Sequence, residues 1–337
     1  MMDSPYTPLE FSLLNDWQRD FPIIARPFEQ LGGIVGADGA VVLVTLRRLQ
    51  SRGDISRVGA VFAPRRVGAS TLAALAAPPE RLEQIAAQVS ARPEVNHNYQ
   101  REHHYNLWFV ATAADQPALA AALAAIESET GCAVISLPLE QEYHIDLGFD
   151  LRSAHKHHAS IPGVPGREPD AVEKNLIAAL QGGLELVARP FARLGTRIGM
   201  SEGEVLTRVG GWIAEGLIKR FGVVVRHHEL GYRANAMVVF DVPDNEVDRI
   251  GDRLAAEAGV TLCYRRSRSL PHWPYNLYCM VHGRSREEVQ PVIEQLSRLA
   301  GLRAQALFST RRFKQCGARY FAEAPMPDEM EDEMADG

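Results

Sequence analysis

The sequence predicts an α+β protein made by tandem duplication, each half a small helical domain followed by a β-α-β-β-α-β domain. Two repeated segments show the duplication: Ile24-Ala25-Arg26-Pro27-Phe28 returns as Val187-Ala188-Arg189-Pro190-Phe191, and Tyr105-Asn106-Leu107-Trp108 returns as Tyr275-Asn276-Leu277-Tyr278. The register is fixed and broken once. Arg26 to Arg189, Gly53 to Gly216 and Gly68 to Gly231 are 163 positions apart, whereas Tyr105 and Tyr275 are 170 apart. That pattern marks two homologous modules with seven extra residues in the second copy, and not a solenoid. Between the copies, residues 152–169 are rich in Pro and Gly and carry no apolar period, as an exposed linker does. The halves are about 1–150 and 170–322.

Each element follows from local pattern. In the second half, Ala171 to Leu180 and Glu185 to Gly195 have helical spacing, and Ser201 with Glu204 forms a capping box that opens a third helix. Gly216 ends that helix, and Leu217 to Val225 has the pattern of a β-hairpin wing. Three helices and a wing make a winged helix-turn-helix unit. Next come a strand from Ala234, a helix from Asn245, strands from Val260 and Tyr275, a helix from Arg286 and a strand from Gly301 to Ser309. That order is ferredoxin-like. The first half repeats it with Thr71 to Leu75, Pro79 to Ala91, Val95 to Arg101, Asn106 to Ala113, Gln116 to Thr130 and Ala133 to Pro138. The expected domains are a winged helix-turn-helix at 1–64, a ferredoxin-like domain at 65–150, a linker at 151–169, the second pair at 170–227 and 228–322, and an acidic tail at 323–337.

Composition excludes several classes. The 337 residues are 46% hydrophobic and 23% charged, enough for ordinary cores. No apolar run reaches the roughly 18 residues of a membrane span, and the N-terminus, with Asp3 and Glu10, lacks the basic region of a signal peptide. Cys132, Cys263, Cys279 and Cys316 have no CxxC spacing, so reduced thiols in a cytoplasmic protein are expected. The net charge of −6 resides in the tail, whose seven acids (Glu323, Asp328, Glu329, Glu331, Asp332, Glu333 and Asp336) leave the body near neutral. The linker histidines His155, His157 and His158 read as solvated.

Two clusters carry chemistry. Arg265, Arg266 and Arg268 precede Pro271-His272-Trp273-Pro274-Tyr275, and Arg311, Arg312, Lys314 and Arg319 surround the last strand. So many cations point to a ligand with several carboxylates; a solvated basic sheet edge is the alternative. In the first half, His97, His103 and His104 lie in one hairpin, where an imidazole can act as a general acid near neutral pH or as an axial iron ligand. Neighbours on a strand face opposite ways, so one of His103 and His104 is expected inside. At register 170, Gln141, Glu142 and His144 align with Arg311, Arg312 and Lys314. One copy is therefore expected to bind and react while the other supports it.

A winged helix followed by a ferredoxin-like domain resembles the Lrp/AsnC transcription regulators. The third helix of the second half, however, begins with Ser201, Glu202 and Glu204, and Arg208 is its one base before Lys219, whereas phosphate binding needs Lys and Arg on that face. In the first half Asp38 and a run of Val and Leu fill the equivalent turn.

The repeated Ala-Arg-Pro-Phe, His103-His104-Tyr105-Asn106-Leu107-Trp108-Phe109, Pro271-His272-Trp273-Pro274-Tyr275-Asn276-Leu277-Tyr278 and Arg311-Arg312-Phe313-Lys314-Gln315-Cys316-Gly317-Ala318-Arg319-Tyr320-Phe321 together resemble the siroheme decarboxylases, in their fused NirD-NirL arrangement, over roughly residues 10–322. The resemblance implies loss of carbon dioxide from two acetate arms of siroheme, giving 12,18-didecarboxysiroheme on the route to haem d1. It also implies catalytic roles for His103, His104 and Tyr105, and substrate contacts from Arg101, Asn106, Arg265, Arg266, Arg268, His272, Tyr275, Asn276, Arg311, Arg312, Lys314 and Arg319. No cofactor is expected beyond the substrate's own iron, to which His103 or His104 is a possible axial contact, and no protein-held metal. The expected partners are siroheme, the other half of the chain as a pseudo-dimer, and haem d1 pathway enzymes, with neither membrane nor DNA. The runner-up is a tetrapyrrole-sensing regulator of the Lrp/AsnC class.

Overall fold

A computed structural model describes residues 6–63, 66–145, 169–226 and 234–322. The linker and the acidic tail lie outside them. The first half contains helices α1 (Pro8–Asn15), α2 (Pro27–Val35) and α3 (Gly39–Arg52) and strands β1 (Ile55–Phe62) and β2 (Ala69–Leu75), followed by α4 (Leu82–Ala91), β3 (Val95–Arg101), β4 (Leu107–Ala113), α5 (Gln116–Thr130) and β5 (Val134–Ile145). The second half repeats the order with α6 (Ala171–Gln181), α7 (Pro190–Ile198), α8 (Glu202–Ala214), β6 (Ile218–Val225), β7 (Ala234–Phe240), α9 (Val247–Ala255), β8 (Val260–Arg266), β9 (Leu277–Gly283), α10 (Arg286–Ala300) and β10 (Gln305–Gln315).

The chain divides into two compact units, and each unit draws on both copies. In the helical unit, α1 is held by a capping box between Thr7 and Glu10, and α6 by the same device between Asp170 and Glu173. Pro190 occupies the first turn of α7, so that helix starts five residues later than its apolar pattern suggests, because proline fixes the first helical φ and disfavours helix in the residue before it. The expected wing hairpin is also corrected. Residues 218–225 are one strand, and β6 pairs antiparallel with β1 of the other copy, with Gly59 opposite Gly222. These mid-strand glycines are points of close approach. A Cβ on Gly222 would lie 2.4 Å from the Trp17 carbonyl oxygen, and one on Gly59 2.9 Å from Cα of Gly183. There the Val223 N–H donates to Trp17 O (2.7 Å) and the Leu184 N–H to Val58 O (2.7 Å).

The second unit is a closed antiparallel barrel in the order β10-β3-β4-β2-β5-β8-β9-β7. Each ferredoxin-like sheet supplies four strands. Its last strand overruns its own sheet, so β5 pairs with β8 and β10 with β3, and closure removes the free edges that would invite aggregation. The overrun also carries an aromatic into the opposite copy's helix layer: Tyr143 packs on Gly251 of α9 and donates to Asp248 (2.5 Å), while Phe313 joins the core under α4. A third apolar cluster fills the barrel interior, with Trp108, Trp273, Tyr278, Tyr264, Met237 and Leu307 among its members.

The seven extra residues fall in two places. Ala69 matches Ala234 and Val95 matches Val260, each 165 positions on, so two residues enter between β6 and β7. The other five enlarge the β8–β9 loop. No single described helix is long and apolar enough to cross a membrane; α2 and α3 pass that test together, bent by 98°.

Candidate active site

The two hairpin loops of the barrel are built alike at their bases. The Arg101 N–H donates to Asn106 O and the Arg266 N–H to Asn276 O, both at 2.9 Å. The Asn106 amide pairs with the backbone of Ala77 through two bonds of 2.8 Å, and Asn276 does the same with Val242 at 3.0 Å. Both amides therefore fix the hairpins to the ends of β2 and β7, a different task from the substrate contact expected of them. A primary amide can close two bonds to one residue's backbone, which leaves little for a ligand.

Above these bases lies an aromatic cluster drawn from both loops. The indole of Trp273 is buried, with its ring 5.3 Å from His103, 4.9 Å from Trp108, 6.0 Å from Tyr105 and 4.9 Å from Tyr275. Its N–H donates to the Tyr278 hydroxyl (2.7 Å). His103 is half-buried and its Nδ1 accepts the Tyr105 N–H (3.0 Å), which places the proton of a neutral ring on Nε2. Burial, and then the neighbouring His104, push its pKa below the ordinary value. His104 is exposed and contacts Tyr105 edge-on at 5.2 Å. Of the adjacent histidines, His103 faces the cluster.

The cations divide into three kinds. Arg101 is 7% exposed, donates to Leu307 O (2.8 Å), and has burial as the dominant cause of a pKa pushed down to about 10. Arg266 is its twin. It donates to Leu137 O (2.8 Å) and lies 4.6 Å over the Tyr264 ring. Both Nε atoms are buried without a hydrogen-bond partner among the described residues. The second kind is already engaged. Arg268 bonds Asp241, Asp244 and the carbonyls of Pro274 and Val242; Arg265 pairs with Glu140 (2.7 Å); and Lys314 caps the end of α4 through Ser90 O and Arg92 O (2.8 and 2.9 Å). Arg268 and Lys314 brace the loop and a strand, because donors so occupied have little left for a ligand carboxylate, whereas Arg265 is held by its carboxylate neighbours alone. The third kind lies toward the rim: Arg311 is exposed and pairs with Glu83, Arg312 is half-buried and donates to Gln315 (2.9 Å), and His272 is exposed. Arg319 is exposed and belongs to the helical unit.

Trp273 and Tyr278 were not among the expected site residues. The signal was present, since register 170 sets Trp273 opposite His103 and Tyr278 opposite Trp108. Among the described residues no group of three or more His, Cys, Asp or Glu side chains could hold a metal ion, and the four cysteines form no disulfide.

Comparison with known proteins gives consistent matches. The model of the siroheme decarboxylase NirDL-like HTH domain matches residues 10–55 and 173–219, and that of the AsnC-like ligand binding domain matches 66–144 and 229–314. The siroheme decarboxylase NirDL subunit of Paracoccus denitrificans is 44% identical over 92% of this chain and 96% of its own. The siroheme decarboxylase NirL subunit of Stutzerimonas stutzeri is 56% identical over 42% of this chain and 85% of its own. A crystal structure of siroheme decarboxylase NirDL in complex with an iron-uroporphyrin III analogue superposes with a TM-score of 0.69 at 27% identity, covering 97% of both chains.

Proposed function

Since the chain belongs to the siroheme decarboxylase family, we propose that it removes carbon dioxide from two acetate arms of siroheme in the cytoplasm, giving 12,18-didecarboxysiroheme for haem d1 synthesis. The observation that carries this reading is the match along nearly the whole of both chains to a NirDL subunit. The likeness to a NirDL structure that holds an iron-uroporphyrin analogue supports a tetrapyrrole ligand.

Each cleavage breaks one carbon–carboxylate bond. The electron pair passes into the conjugated macrocycle, and the arm's remaining carbon takes up one proton to become a methyl group. The protein's contribution is to anchor the other carboxylates, strip water from the reacting one and deliver that proton. His103 is the proposed donor, supported by its place beside Tyr105 in the aromatic cluster; His104 is the alternative donor or contact to the substrate's iron. Arg101, buried, and Arg266, half-buried, are the proposed inner anchors because a guanidinium taken out of water without a carboxylate partner is costly unless an anion joins it. Arg311 and Arg312 serve as outer anchors, with His272 and Tyr275 as a polar wall. The reaction needs no cofactor beyond the substrate's iron. Enzymes that consume the didecarboxylated product are the proposed partners.

The regulator reading is not favoured. The starts of its recognition helices lack cations: α3 is capped by Asp38, exposes Val41 and Val44, and brings Arg47, Arg48 and Arg52 only in its later turns, and α8 starts with Glu202 paired to Arg189 and Glu204 bound to Ser201. The deciding experiment is anaerobic incubation with siroheme, then mass analysis of the extracted tetrapyrrole. Loss of two carbon dioxide equivalents is expected, and unchanged siroheme after binding would overturn the reading.

A further inference from the structure

We propose that Trp273 is a displaceable plug in the substrate site, withdrawn with its loop when the macrocycle enters. The inference rests on the tetrapyrrole reading above and adds a moving part to it.

The starting observation is where the extra residues went. The first copy joins β3 to β4 through residues 102–106, whereas the second joins β8 to β9 through residues 267–276. The longer loop exposes Leu270, Pro271 and His272 to solvent, yet drives the next side chain, Trp273, to 1% exposure among His103, Tyr105, Trp108 and Tyr275. By register Trp273 is the second copy's version of His103. The duplication has thus set an imidazole and an indole at equivalent positions and brought them face to edge, so the indole covers the ring proposed to reach the substrate.

The loop is constructed to move as a piece. Ser269 and Trp273 bond each other in both directions, N–H to carbonyl, at 2.9 and 2.7 Å, making a small closed hairpin outside the barrel's ladders. On one flank Arg268 is tied to Asp241, Asp244, Val242 and Pro274; on the other Asn276 is tied to Val242. Motion is therefore confined to residues 269–273. The indole's hold on the barrel is ring contact and one hydrogen bond to Tyr278. A flat aromatic macrocycle can replace those ring contacts, and its carboxylates gain the buried guanidiniums as the plug leaves.

A plug lowers apparent affinity by the fraction of molecules that are open. Removing it tightens binding, whereas removing a stacking platform weakens it. The test is anaerobic absorbance titration with siroheme of the wild type, Trp273→Ala and Tyr278→Phe. Trp273→Ala should bind about tenfold more tightly and Tyr278→Phe should shift the same way by less. Because Trp273→Ala leaves a large void, the second readout keeps the wild-type fold: full-length protein carrying 5-fluorotryptophan, with the Trp273 signal assigned by Trp273→Phe, is titrated with metal-free uroporphyrin III, an eight-carboxylate tetrapyrrole without paramagnetic iron. The Trp273 fluorine signal should gain a water/heavy-water isotope shift at saturation. A signal that stays shielded, or weaker binding by Trp273→Ala with its fold intact, overturns the plug while leaving the decarboxylase reading standing. Absence of siroheme binding and turnover in the wild type removes both.

Discussion

Replacing Arg101 by Met tests whether its buried guanidinium is held for a ligand or for the fold. Burial lowers its pKa from 12.5 to about 10, so holding the charged form at neutral pH costs about 3 kcal/mol, at 1.36 kcal/mol per unit. The bond to Leu307 O returns roughly 1.5–3 kcal/mol, the value of a hydrogen bond to a charged group. These nearly cancel, and Met keeps the chain length without the charge. The free protein should therefore melt within a few degrees of wild type by circular dichroism. The depressed pKa belongs to a base, so the cost is complete at every pH below about 10 and is relieved only above it. Melting differences between the two proteins should thus not change from pH 6 to 9. Siroheme affinity, in contrast, should fall by about ten- to a hundredfold, the loss of one charge-assisted contact. A large drop in melting temperature with unchanged affinity would refute the argument and make Arg101 a brace for β10.

Other outcomes follow from the same geometry. His103→Ala should cost turnover far more than siroheme affinity, with His104→Ala milder, as measured by single-turnover kinetics; equal and full activity in both would remove the donor assignment. Burial and His104 depress the His103 pKa, so protonation favours the unfolded chain and stability should fall as pH drops through and below about 6.5, the unfolded value. His103→Asn should flatten that part of a melting-versus-pH curve, and an unaltered slope would count against it. Arg311→Ala with Arg312→Ala should raise the siroheme dissociation constant and lessen its dependence on salt, because two cationic contacts that salt can screen are removed. Gly222→Ala should destabilise by roughly 1–3 kcal/mol, as overpacking does, because its Cβ would meet the Trp17 carbonyl; a melt equal to wild type would show that the α1 end shifts freely.

The strand and helix order was legible because the ferredoxin-like elements carry their own periods twice over, and the second helix of each copy adds a capping residue and a glycine stop, Asp115 with Gly131 and Ser285 with Gly301. What the sequence could not convey was which copy each strand serves. Leu217 to Val225 looks like a wing because its mid-strand Gly222 mimics a turn, yet that glycine exists to admit the Trp17 backbone. The overrun of β5 and β10 was hidden likewise, since Glu140 to His144 and Thr310 to Gln315 are polar runs with one aromatic each and show no alternation that would mark a strand. At the site, the residue types were legible and their assignments were not. Arg268, Lys314, Asn106 and Asn276 are indistinguishable from ligand-binding residues in a sequence, and only their partners, Asp241, Ser90 O, Ala77 and Val242, reveal their work.

The duplication supplies a control for these assignments. What both copies retain with the same backbone partner is architectural: Asn106 and Asn276 pin the hairpins, and Tyr143 and Phe313 fill the opposite helix layers. What one copy alone carries is free to be functional, as with His103 facing Trp273, or Gln141 and Glu142 set against Arg311 and Arg312. Arg101 and Arg266 straddle that division. They donate to equivalent carbonyls across the pseudo-twofold relation, as braces should, yet among the described residues neither pairs with a carboxylate, unlike Arg265 and Arg268. A two-fold-related pair of cations inside one barrel suits a ligand that carries carboxylates around its whole rim, because such a ligand can engage both copies at once. On that argument the duplication adapted a symmetric anion-binding barrel to one asymmetric reaction: the cationic pair stayed, and the position above it diverged into an imidazole on one side and an indole on the other.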